Sequence, residues 1–306
     1  MLRTRLWMGT LLVGLAVLVL LEHSWFRPWY PFLFVCYLAA TVFAARELLH
    51  LIPEPVRPVP GLTLGLVAVL AVFSWWPAVV EAGGDPIGVD TWDLIVAGVA
   101  GGTVAALLRE IARFRGPDRI VERVALTAFT LVYLGALPCC LVQLRWLPFG
   151  YSTPALALAV FVPKGNDIGA YFTGKFLTGR LLGRSHMTPL LSPKKTWQGA
   201  VGGMVASVAV AIGIQAGWPV IPFGWLGAVG FGLTVGFAGI MGDLAESLIK
   251  RDLQTKDASH TVPGFGGVLD VVDSLLFAGP VAYLWFTVGM RLAGWPAGPP
   301  PKPMPQ

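Results

Sequence analysis

Long apolar runs separated by short polar segments recur along the whole chain, and they place it among polytopic membrane proteins built from α-helices. Runs of this kind lie at roughly 6–21, 29–45, 61–80, 92–108, 124–144, 153–173, 197–217, 225–247 and 270–290. A helix needs about 20 residues to cross a bilayer, with a range of about 17–25. The first, second and fourth runs are short and must borrow flanking residues. The pattern predicts an all-α integral membrane protein of about nine transmembrane helices.

Composition excludes a soluble globular protein. The 306 residues are 55% hydrophobic and only 13% charged, against about 25% charged in soluble domains. Loop charges test the span count independently. Of the 22 lysines and arginines, 17 fall in segments that share a side with the N-terminus, from Arg3 and Arg5 through Arg109–Arg123 to Lys256. Four (Arg27, Arg145, Arg291, Lys302) fall on the other side, and Lys164 lies inside a run. Basic residues mark cytoplasmic loops, so the N-terminus is expected in the cytoplasm. The net charge of +5 is then a topology signal and not a nucleic-acid footprint. Glu81, Asp85, Asp90 and Asp93 cluster in an outer loop.

Arg3 and Arg5 precede an apolar stretch that is long for a signal-peptide core of about 7–15 residues. The following Glu22-His23-Ser24-Trp25 lacks a small-x-small cleavage pattern, so a retained first span is expected. Cys36, Cys139 and Cys140 lie in apolar surroundings without metal or disulfide spacing and read as small core residues. No fixed-period repeat is visible. Spans before about residue 150 carry no ionisable residue at their centres, whereas later ones carry Lys164, Asp167, Asp243, Glu246, Asp270 and Asp273. The expected organisation is a scaffold over 1–150, a catalytic region over 151–292 and a Pro-rich tail over 293–306.

Charge beside a membrane span is costly and is a functional signal. Asp243, Glu246, Ser247 and Lys250 follow i, i+3, i+4, i+7 spacing and share one helical face. Asp270 and Asp273, three apart, open the ninth span, and the polar segment between is short enough to bring the two helix ends together. Converging carboxylates suit Mg²⁺, which takes oxygen ligands and keeps places for substrate phosphates. The plain alternative is that such acids cap helix ends, where a negative charge is stabilising in any case. Upstream, Lys164-Gly165-Asn166-Asp167 interrupts the sixth run and must face protein or a wet cavity; an i, i+3 ion pair between Lys164 and Asp167 would also account for it. Ser192-Pro193-Lys194-Lys195-Thr196-Trp197-Gln198-Gly199 opens the seventh run with two lysines and two hydroxyls, a phosphate grip at a helix N-terminus.

Two runs then carry a family resemblance: S-L-I-K-R-x4-K-D from Ser247 to Asp257, and P-G-x-G-G-x-x-D-x-x-D from Pro263 to Asp273. With the upstream N-D-x-G-A-Y and S-P-K-K-T-W-Q-G segments, this resembles the phosphatidate cytidylyltransferases, also called CDP-diacylglycerol synthases. The matched motifs span residues 164–275. Where that family commonly has His before the Gly-Gly pair and Arg after the first Asp, this sequence has Phe265 and Val271.

The resemblance implies transfer of CMP from CTP to phosphatidic acid, giving CDP-diacylglycerol and pyrophosphate, with Mg²⁺ and room for a second cation. On that reading Asp243, Asp270 and Lys250 are catalytic, and Asp243, Asp270 and Asp273 hold the metal. Asn166, Asp167, Ser192, Lys194, Lys195, Arg251, Lys256, Asp257, Gly266 and Gly267 bind substrate. The resemblance also implies a homodimer. The loop charges and the Ala/Gly/Arg/Pro-rich composition point to a bacterial inner membrane with the site facing the cytoplasm. Two rivals stand beside it: a CTP-dependent polyprenol or lipid-alcohol kinase, and, from a different class, an ion-coupled transporter built on the intramembrane Lys164, Asp167 and Glu246.

Overall fold

The computed structural model describes residues 2–22, 25–84, 88–148, 150–176, 185–259, 261–264 and 266–294. Phe265 and the tail from 295 onward, both singled out above, lie outside the described residues. Helices dominate: α1 (Leu2–Leu21), α2 (Pro31–Leu51), α3 (Pro60–Gly83), α4 (Thr91–Ala112), α5 (Ile120–Trp146), α6 (Ser152–Phe176), α7 (Trp197–Gly217), α8 (Gly224–Asp252) and α9 (Val268–Leu292). Sheet, among the described residues, is confined to one antiparallel hairpin, β1 (His186–Thr188) and β2 (Ser192–Thr196), with His186 opposite Thr196 and Thr188 opposite Ser192.

By length and composition seven of these helices can cross a membrane: α2, α3, α4, α5, α7, α8 and α9. The expected first and sixth spans are helical but do not reach that standard. The described apolar part of α1 is Trp7–Leu21, and α6 carries Pro163, Lys164 and Asp167 within its length. Their apolar surface differs in use. Only 17% of the apolar window of α4 is buried, against 44% for α2 and α8, so α4 turns its valines and leucines outward, as a lipid-facing helix does.

Local chemistry explains the irregularities. α3 is interrupted by a two-residue turn at Ser74 and Trp75. α5 contains a π-helical stretch, Leu131–Ala136, that ends two residues before Pro138. Proline has no N–H to donate to the preceding turn, and widening that turn re-routes the backbone bonds, with the Leu137 N–H reaching the Val132 carbonyl. At the entry to α2, the buried Glu22 accepts from the N–H groups of Phe32 (2.6 Å) and Leu33 (2.9 Å), capping amides that have no partner inside the helix.

The chain divides into two compact units, Met1–Val142 with Asp252–Val272, and Gln143–Arg251 with Asp273–Gln306. The segment from Asp252 to Val272 groups with the N-terminal part. In the first unit α2 and α3 pack through aromatic contacts. Phe34 meets Trp75 edge-on with centroids 4.9 Å apart, and Tyr37 stacks on Trp75 at 5.8 Å. The Tyr37 hydroxyl also meets Cys139 Sγ at 3.2 Å. All three cysteines are free, Cys139 buried and the other two half-buried. In the second unit α6 packs closely along α7, and Phe231 of α8 sits edge-on to Trp285 and Phe286 of α9.

Candidate active site

The second unit gathers the polar residues of three helices and the hairpin around the end of α8 that carries Lys250. Asp243, Glu246 and Lys250 occupy one face of α8, as their spacing requires, and Glu246 and Lys250 are buried. Gly242 makes the convergence possible. A Cβ there would press on the backbone carbonyl of Asp273 and lie 3.1 Å from Ser274 Cα, so only glycine lets α8 approach α9 this closely. One carboxylate oxygen from each of Asp243, Glu246 and Asp273 consequently lies within 4.8 Å of the others.

Three lysines surround these acids. Lys250 Nζ is 2.6 Å from Glu246 Oε2, Lys195 Nζ is 2.7 Å from Asp243 Oδ2, and Lys164 Nζ is 3.3 Å from Asp167 Oδ2 and 4.0 Å from Asp273 Oδ1. Lys164 also donates to Ser274 Oγ at 2.8 Å. The i, i+3 pair that the sequence offers for Lys164 and Asp167 therefore exists, and the same ammonium reaches a second carboxylate as well. Each of these groups is held in place: Ser274 N–H donates to Asp273 Oδ1 at 2.5 Å, and Ser247 Oγ approaches Asp243 Oδ1 at 3.5 Å.

A cleft of about 320 Å³ opens beside this cluster, and its wall includes Asn166, Asp167, Ser192, Lys194, Lys195 and Asp243. Six residues nominated from three separate sequence segments thus line one cavity of a size suited to a small ligand. Asn166 is buried, and its Nδ2 donates to Ser207 Oγ at 3.2 Å, a bond that also fixes α6 against α7. Thr196 caps α7, its Oγ1 accepting from the Gly199 N–H at 3.1 Å. Arg251 Nε donates to the Leu191 carbonyl at 3.3 Å, tying the hairpin turn to α8.

The remaining nominated residues belong to the first unit. Lys256 and Asp257 are exposed on the segment before α9. Pro263 and Gly264 lie in a tight turn closed by reciprocal bonds between Val262 and Gly266, 2.8 and 3.1 Å long. Gly266 has φ +105°, a conformation that side chains rarely adopt. Asp270 belongs to the first unit, whereas Asp243, Glu246 and Asp273 belong to the second. Its Oδ2 accepts from the N–H groups of Gly267 (2.7 Å) and Ala258 (3.2 Å), as a helix-capping carboxylate does. The sequence reading placed Glu246 on the α8 face without naming it among the metal residues; the structure brings its carboxylate within 4.8 Å of those of Asp243 and Asp273. The signal was its i+3 relation to Asp243. Ser274 and Glu47 were missed, the latter because its partners are more than 200 residues away.

Comparison with known proteins identifies the family. Residues 2–288 match the model of the cytidylyltransferase family. The chain is 34% identical over 224 residues to phosphatidate cytidylyltransferase 4, chloroplastic, of Arabidopsis thaliana, covering 66% of this chain and 54% of that protein. It is 41% identical over 138 residues to a Brucella suis phosphatidate cytidylyltransferase, covering 45% and 48%. With a Mycobacterium bovis phosphatidate cytidylyltransferase it shares 28% identity over 293 residues, covering 92% and 88%. The chain spans about half the length of the first two of these relatives. Its family-model match runs almost end to end, and the chain belongs to the cytidylyltransferase family.

Proposed function

We propose that the protein is a CTP:phosphatidate cytidylyltransferase, which transfers CMP from CTP to phosphatidic acid and releases CDP-diacylglycerol and pyrophosphate. The observation that carries this reading is the meeting of Asp243, Glu246 and Asp273 with Lys164, Lys195 and Lys250 beside a cleft lined by the S-P-K-K-T segment. Such a reaction joins two anions. It needs their charges neutralised and their reacting atoms aligned more than it needs a covalent intermediate.

In the proposed step an oxygen of the phosphatidate phosphate attacks the α-phosphorus of CTP. The bond from that phosphorus to the bridging oxygen breaks, and pyrophosphate leaves with the electron pair. Lys194 and Lys195, on the cleft wall, take the nucleotide phosphates. Lys250 and Lys164 hold the carboxylates in register, and Asp167 faces the nucleotide side of the cleft. Three carboxylate oxygens within 4.8 Å form a hard donor set that fits Mg²⁺, so Asp243, Glu246 and Asp273 would hold the divalent metal. Bound there, it would neutralise charge on the reacting phosphates. Lys256, Asp257, Gly266 and Gly267, which the motif assigns to substrate, and Asp270, which it assigns to catalysis and the metal, belong to one loop-and-helix segment of the first unit.

An apolar groove of about 670 Å³ runs along α8 and α9, lined by Phe237, Met241, Leu244, Leu248 and Phe277 among others. It suits acyl chains and supports a lipid acceptor. The proposal includes nine crossings of a bacterial inner membrane, a cytoplasmic site and a homodimer; the loop-charge asymmetry supports the orientation.

The test is purified protein with CTP labelled at the α-phosphate, phosphatidic acid and Mg²⁺. Label in a chloroform-soluble liponucleotide, lost with EDTA, is the expected result. Phosphorylated lipid alcohol with release of CDP would replace the proposal with the kinase reading. With a lipid alcohol also supplied, neither labelled lipid nor labelled CDP from monodisperse protein would refute both.

A further inference from the structure

A carboxylate far from the signature motifs holds the segment that carries them. Glu47 lies one turn before the end of α2 and is buried. Its Oε1 accepts from the Val268 N–H at 3.0 Å and its Oε2 from the Leu269 N–H at 2.9 Å, the first amides of α9. Ser259 Oγ donates to the same carboxylate at 2.6 Å and in turn accepts from the Thr261 N–H at 3.1 Å.

The first N–H groups of a helix have no partner within it and carry partial positive charge. An N-cap side chain normally supplies the acceptor. Here the residue before α9 is Gly267, with nothing to offer, and Glu47 fills the role from 221 positions earlier. The substitution works in both directions. A Cβ on Gly267 would lie 2.8 Å from the Glu47 carboxyl carbon, so the glycine is the seat of the carboxylate. Asp270 closes the other side by accepting from Gly267 and Ala258. Between them Glu47 and Asp270 tether the segment at Ala258, Ser259, Gly267, Val268 and Leu269.

We infer that Glu47 is a positioning residue: its carboxylate fixes the conformation of the described residues around Ser259 and Gly267–Leu269, and with it the presentation of Lys256, Asp257, Gly266 and Asp270 to substrate. The kinetic part of this inference rests on the cytidylyltransferase reading; the structural part does not.

The experiment compares wild type, Glu47→Ala and Glu47→Gln as full chains by hydrogen–deuterium exchange and by steady-state kinetics. In Glu47→Ala, exchange in peptides within 256–269 should rise at least about tenfold, with peptides from α2 and α8 unchanged. Its kcat/KM for CTP should fall by at least about tenfold. Glu47→Gln keeps an acceptor oxygen and should restore most of the protection and part of the rate. Should Glu47→Ala fail to fold, Gly267→Ala, which displaces the same carboxylate, should loosen the same peptides. Unchanged exchange would overturn the inference. So would a rise spread evenly over all peptides, or lost protection with unaltered kinetic constants. If wild type makes no liponucleotide, the reaction reading fails, and the exchange pattern alone decides whether Glu47 holds the segment.

Discussion

Replacing Gly242 by alanine adds one methyl group at the point where α8 and α9 meet, and its effect can be worked from distances. The new Cβ would stand 3.1 Å from Ser274 Cα and 3.2 Å from the Asp273 carbonyl carbon. Carbon atoms settle about 3.5–4.0 Å apart, so the helices must separate locally by about 0.4–0.9 Å. The obstacles are backbone atoms and cannot swing aside as a side-chain tip could. Overpacking of this kind costs about 1–3 kcal/mol, which a folded bundle can absorb. The site cannot absorb it as easily. Asp243 follows the substituted residue directly and Asp273 is the group pushed away, so two of the three converging carboxylates move apart. A misplacement of about 1 Å in a catalytic constellation costs about 100-fold. Gly242→Ala should therefore keep its helicity and its elution profile while kcat/KM falls about 100-fold in the labelled-CTP assay. Gly213→Ala is the matched control: its Cβ meets nothing within 4 Å, and activity should stay at wild-type level. Full activity in Gly242→Ala would show that the close approach of the two helices is not what assembles the site.

Asp243→Asn should insert and fold but lose nearly all turnover, and substantial residual activity would remove it from the ligand set. Glu246→Gln should be comparably severe, whereas a loss under about threefold would leave Glu246 as a partner for Lys250 only. Lys164→Met removes the cation nearest Asp273; Mg²⁺ should then raise the melting temperature more in the variant than in wild type, because metal and lysine offset the same carboxylates. Equal shifts would separate Lys164 from the metal site. Phe265→His should change the rate little or raise it, and a collapse would assign Phe265 a substrate contact of its own.

What was legible in the sequence was local. The i, i+3, i+7 spacing of Asp243, Glu246 and Lys250 fixes a shared face once the segment is helical, and the structure keeps it. The two motifs around Asn166 and Ser192 were nominated separately and line one cleft. What failed to show depends on partners remote in the chain. Asp270 and Asp273 look equivalent at three-residue spacing, yet Asp270 turns back to cap its own helix start and Asp273 faces Ser274 and Lys164. Nothing local distinguishes them. Glu47 reads as a solitary acid near the end of an apolar helix, and its meaning appears only when Gly267 leaves a place for it. α6 falls short of the hydropathy of the seven candidate crossings for a related reason: it carries Lys164 and Asp167, which pair with each other at the cluster.

The pairing of lysines with acids also bears on how the chain is made. Helices enter a membrane one after another from the N-terminus, and a lone charge at that moment is costly. For Glu246, though not for Asp243, α8 brings its own compensation, because Glu246 and Lys250 are partners at i, i+4 within one helix, whereas Asp243 takes Lys195 from β2. α9 does not: between Val268 and Leu292 its sole basic residue is Arg291, eighteen positions beyond Asp273. The counter-ion for Asp273 is Lys164, carried by a helix synthesised about a hundred residues earlier. Asp273 therefore gains this counter-ion only once α6 and α9 have packed together.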